Sequence, residues 1–150
     1  METQSTPYRI LVIANEAVDG HMLHDALAAH NGEARPAEVL IVCPALNSRL
    51  RFWVSDVDRA RKAAELRLRE CLPGLDGDGM QANGSVGDSD PIQAIEDGLR
   101  LFAADEIVLV THTIEEAHWV EHGLVERARR QFGHPIFQVI VSDSRLHAAA

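Results

Sequence analysis

The chain is poor in cysteine, in aromatic residues and in positive charge, and it has no long apolar run. Two cysteines in 150 residues, Cys43 and Cys71, cannot build a disulfide framework or a four-sulfur zinc site. No stretch approaches the ~20 apolar residues that span a bilayer, so no membrane helix and no membrane partner are expected. Lys and Arg number 14 against 23 Asp and Glu, a formal charge of −9. Nucleic acid rewards a basic face, so it is not expected as a partner either. The opening residues, Met-Glu-Thr-Gln-Ser-Thr-Pro, have neither the basic head nor the apolar segment of a secretory signal. The expected location is therefore cytoplasmic, with both thiols reduced. No catalytic motif is evident. What is present is ordinary for a globular chain: 46% hydrophobic and 25% charged residues. The length suits one domain, residues 1–150, with an ordered core over about 8–142.

Residues 9–14 (RILVIA), 37–43 (AEVLIVC), 106–110 (EIVLV) and 135–141 (PIFQVIV) are nearly unbroken apolar runs rich in β-branched residues. That is the pattern of strands buried on both faces. Residues 80–86 read as a weaker, polar strand suited to a sheet edge. Between the strands the spacing turns helical. Leu23, Ala26 and Leu27 mark one stripe over 18–30; Val57, Ala60, Ala64 and Leu68 mark a second over 56–72, capped by Ser55. Asp90 caps a third helix, Pro91 takes its first position and Gln93 has the spacing of a capping box. Ile92, Ile95, Leu99 and Phe102 form its stripe. The last helix is expected from Thr113 to about Phe132, stopped by Gly133. Five strands alternating with four helices give a doubly wound, three-layer α/β/α sandwich with a mostly parallel sheet, because crossover helices force parallel neighbours. Ligands of such sheets bind beyond the carboxyl ends of the strands.

The residues at those ends are polar but hold no nucleophile–base pair. They include Asn15 after the first strand, Arg49, Arg51, Phe52 and Trp53 after the second, Gly87 and Asp88 after the third, and Thr111 and His112 after the fourth. The order of elements, the stretch Gly87-Asp88 to Pro91-Ile92-Gln93-Ala94-Ile95, and the strand end running from Glu106 to Thr111-His112 resemble the universal stress protein family. The resemblance covers about residues 9–141. It implies a five-stranded parallel sheet of order 3-2-1-4-5, the fold shared with adenine nucleotide alpha hydrolases, and commonly a homodimer. In the ATP-binding branch, adenine and ribose lie near the ends of the first three strands. The phosphates lie on a motif G-x2-G-x9-G-[S/T]. Laid on this chain without a gap, the motif falls on Val110, Thr113, Gly123 and Leu124. Only the last glycine is kept. Val110 and Thr113 cannot give a phosphate the close backbone approach that glycine allows, and Leu124 offers no hydroxyl. Glu115, Glu116 and Glu121 add like charge where a triphosphate would sit. Asn15 stands at the position of the family's strand-one aspartate and is neutral. The chain resembles branches that have lost the phosphate motif.

The expectation is a stress-response protein that binds a small molecule, an adenine nucleotide such as ATP or AMP being the candidate cofactor, without turning it over. The candidate contacts are Ala14, Asn15, Cys43, Gly87, Asp88, Thr111, His112, Gly123 and Leu124. Gly87 would allow close backbone approach, and Gly123 and Leu124 would offer backbone N–H groups. A ligand-free homodimeric interaction module is the alternative, and a nucleotide hydrolase is a third reading that lacks its phosphate loop. His112 has two readings, a loop imidazole bonded to backbone or a ligand contact. Arg49 and Arg51 have two as well, solvated cations or anion contacts. The pairs His21/His24 and His118/His122 have the spacing of zinc ligands, but no HExxH or CxxC accompanies them. They are read as solvated, and no metal site is expected. Asp76/Asp78 and Asp88/Asp90 are assigned to turns and helix starts. In the implied order the last strand is an edge, and Ile136, Phe137, Val139, Ile140 and Val141 make it apolar. It is expected to pair with its twin in a homodimer, the tail from Ser142 being the alternative cover. That tail is otherwise expected to fray.

Overall fold

The computed structural model describes residues 6–14, 18–32, 36–45, 56–77, 79–112, 123–142 and 145–149. Asn15, the loop residues Arg49, Arg51, Phe52 and Trp53, the cap Ser55, Asp78, the acids Glu115, Glu116 and Glu121, and the pair His118/His122 lie outside them. Each apolar run forms a strand: β1 (Tyr8–Ala14), β2 (Ala37–Pro44), β4 (Glu106–His112) and β5 (Ile136–Ser142), with the more polar β3 (Met80–Gly87) at one edge. The helices are α1 (Gly20–Asn31), α2 (Asp56–Leu75), α3 (Pro91–Leu101) and α4 (Leu124–Gln131). The sheet order is β3-β2-β1-β4-β5-β6, parallel throughout β1 to β5. The expected 3-2-1-4-5 winding is therefore present.

The sequence runs are unbroken because both faces of the central strands are covered. Ile10, Val12, Val108 and Val110 pack on one face with Leu23 and Leu27 of α1 and Ala64, Leu68, Cys71 and Leu75 of α2. Leu11, Ile13, Ile107 and Leu109 pack on the other with Ile92 and Ile95 of α3 and Leu124 and Ala128 of α4. Period-two alternation along each strand sends neighbouring residues to opposite clusters.

Four expectations are corrected. The tail does not fray: β6 (Arg145–Ala149) pairs antiparallel with β5, Ile140 facing His147. The edge of β5 is thus covered by the same chain, and the outer edge of the sheet is β6. Second, α2 continues through Pro73 to Leu75. Proline forfeits one helical donor, but Leu75 is fully buried, and Gly74 lies so close to α1 that a Cβ there would stand 2.6 Å from the His21 nitrogen. Packing of the last turn outweighs the breaker. Third, Gln93 completes no capping box. Its Nε2 donates to Asp97 one turn on, while Asp90 caps α3 by accepting from the Ile92 N–H. Fourth, no helix runs through Gly123, whose φ of 71° is left-handed, so α4 starts at Leu124.

At the amino edge of the sheet, Glu106 is buried and accepts from or donates to His30 Nε2 at 2.8 Å according to their protonation. The His30 ring stacks on Phe137 with centroids 3.8 Å apart. This cluster ties α1 to β4 and β5 at the end of the sheet away from the carboxyl ends of the strands.

Candidate site at the carboxyl edge of the sheet

Parallel register brings Ala14, Cys43, Gly87, Thr111 and the backbone of His112 to one edge. Ala14 lies beside Val110, Cys43 beside Val86, and Pro44 beside Gly87. Thr111 and His112 extend β4 one and two residues past Val110. Asn15 belongs to the undescribed residues, and of His112 only the strand backbone is described.

Several of these side chains are spent on the fold. Ala14, Cys43 and Leu124 are 0–1% exposed, so only their backbone faces a ligand. A Cβ on Gly87 would lie 2.5 Å from Val42 Cγ1 and 3.1 Å from Ala94 Cβ. The missing side chain at Gly87 thus admits the packing of α3 on the sheet, and no ligand is needed to account for it. Asp88 accepts from the Asp90 N–H at 2.9 Å, a short turn that delivers the chain into α3. Asp76 likewise accepts from the Ala82 N–H. His24 Nε2 contacts the Gly77 carbonyl oxygen at 3.1 Å. Among the described residues no group of His, Cys, Asp and Glu could hold a metal ion.

What remains for ligand chemistry is a set of donors. Gly123 gives α4 no side-chain cap, and the first intrahelical bond runs from the Arg127 N–H to the Gly123 carbonyl. The N–H groups that open α4 point toward the amino end of the helix, where its dipole is positive. Thr111 is buried and accepts from Gln138 Nε2 at 2.8 Å, which leaves its hydroxyl proton to donate elsewhere.

Two residues were missed. Gln138 is a polar interruption of the apolar run PIFQVIV, a signal legible in the sequence. Arg67 is not legible, because α2 carries five Arg or Lys side chains at intervals along it. Its Nη2 donates to the Pro44 carbonyl at 3.0 Å, and its Nε is buried with no hydrogen-bond partner. An unmet buried donor costs about 1–3 kcal/mol. Arg67 also borders Cys43. Burial pushes that thiol up, and Arg67 pulls it partway back. Burial, with Cys43 and Asp19 nearby, pushes Cys71 up to about 12. Both thiols are therefore neutral and unreactive at ordinary pH.

No family model and no curated protein matches the chain. Solved structures do. A crystal structure of a hypothetical protein matches with a TM-score of 0.59 at 12% identity, over 90% of this chain and 97% of that one. A universal stress protein solved in complex with cAMP matches with a TM-score of 0.50 at 17% identity, over 91% and 99%. At these identities the likeness is one of fold, and the fold is that of the universal stress proteins.

Proposed function

We propose that this chain is a universal-stress-protein-like binding protein that holds an adenine mononucleotide at the carboxyl edge of its sheet and does not hydrolyse it. The observation that carries the reading is the convergence of the ends of β1, β2, β3 and β4 on one edge beside the uncapped start of α4. A structural neighbour with this fold was solved with cAMP, a nucleotide with a single phosphate. A triphosphate fits less well. Val110 sits inside β4, 1% exposed and paired with Ala14 and Val139, so it cannot open into a phosphate loop. A small set of donors at this edge suits one phosphate better than three.

Differential scanning fluorimetry with cAMP, AMP, adenosine, ADP and ATP tests this. A ligand at 100 times its Kd stabilises by about 2.7 kcal/mol, which for a chain of this size is a rise of roughly 5–10 °C in Tm. AMP or cAMP should produce it, and the further phosphates of ATP should add nothing. A flat response to all five would refute nucleotide binding. Steady release of phosphate from ATP would refute the absence of turnover.

A further inference from the structure

We propose that Arg67 is the cation that receives the phosphate-type anionic group of a ligand at the carboxyl end of β2. This deepens the nucleotide reading above and rests on it for the ligand's identity. Three observations point to Arg67. The first is position: its guanidinium is bonded to the carbonyl of Pro44, the last residue of β2, which lies beside Gly87 at the end of β3. The second is unspent charge. Arg9, Arg61 and Arg100 each have a carboxylate oxygen within 4 Å, whereas none among the described residues lies that near Arg67. Its Nη2 donates to the Pro44 carbonyl, the guanidinium borders the Cys43 thiol, and Nε is buried without an acceptor. A half-buried cation left without an anion is costly, and an incoming anion offsets that cost. The third is fixation. Ala64, Leu68 and Cys71 root the same stretch of α2 in the core, so the side chain springs from a rigid base. The neighbouring Cys43 thiol stays protonated and does not neutralise it. A planar fork of donors held at a rim of low dielectric constant matches a phosphate monoester or diester. It supplies side-chain donors where Val110, held inside β4, cannot open into a loop and Leu124 has no hydroxyl.

The test follows the side-chain Nε–Hε resonance of Arg67 in the full ¹⁵N-labelled chain at low ionic strength, assigned with Arg67→Lys. The probes are inorganic phosphate, AMP and adenosine. Phosphate and AMP should move the resonance and adenosine should not. AMP should bind at least tenfold more tightly than adenosine. Arg67→Gln should erase that difference, whereas Arg130→Gln on α4 should preserve it. If phosphate and AMP both leave the resonance in place, the assignment of Arg67 is overturned, even where AMP binds elsewhere. Equal AMP affinity for wild type and Arg67→Gln overturns it too and leaves nucleotide binding standing. A resonance moved by phosphate alone, with no binding of AMP or adenosine, supports the anion site and removes the nucleotide. The wild-type titration decides the matter even if Arg67→Gln does not fold.

Discussion

Burial moves the ionisation of Cys71 from an ordinary value near 9 to about 12, and this makes a definite pH prediction. The folded state holds the proton that the unfolded chain releases. The contribution is complete below pH 9 and disappears as pH rises toward 12. Denaturant titrations from pH 8 to 11 should show wild type losing stability more steeply than Cys71→Ala. Equal slopes would contradict the assignment. The burial of Cys43 was readable from the apolar run it ends. The depth of Cys71 was not, because it depends on α1 closing over α2. The same limit applies to Arg67: its residue type is visible in the sequence, but the contact of its guanidinium with the end of β2 exists only after folding.

At the scale of elements, the crossing of α1 and α2 is set by two glycines whose side-chain space is already taken by backbone. A Cβ on Gly20 would stand 1.9 Å from the Cys71 carbonyl oxygen and 2.9 Å from the Leu75 nitrogen. Backbone cannot yield as a side-chain tip can. Gly20→Ala should therefore cost about 2–3 kcal/mol, a fall of roughly 5–10 °C in Tm. Gly133→Ala, with nothing within 4 Å, should stay within about 0.5 kcal/mol. A neutral Gly20→Ala would mean that the helices can move apart freely. This contact also explains why the end of α2 was misplaced. Local chemistry says that Pro73 stops a helix, and interhelical packing carries it one more turn. The start of α4 was misplaced for a related reason: a helical apolar spacing does not reveal that Gly123 takes a left-handed turn.

For the whole molecule, the consequential addition is β6. It covers the edge that β5 would otherwise present, with Ile140 and Val139 opposite His147 and Ala148. An uncovered apolar edge invites pairing with another chain. Truncation after Ser142 should give concentration-dependent association in sedimentation velocity, stronger than any shown by the full chain. If the truncated and full chains sediment alike, β6 is not what guards that edge. By itself the sequence determined the five parallel strands, the helical stripes and the winding, because burial on two faces and crossover helices leave marks at fixed periods along the chain. It also singled out the carboxyl edge as the candidate site, since that edge follows from the winding. Tertiary structure alone decided which polar groups at that edge remain available. Asp88 is spent on a turn, the space beside Gly87 is filled by Val42 and Ala94, and Arg67 has no carboxylate within 4 Å among the described residues. Those outcomes depend on contacts between residues distant in sequence, and no local periodicity encodes them.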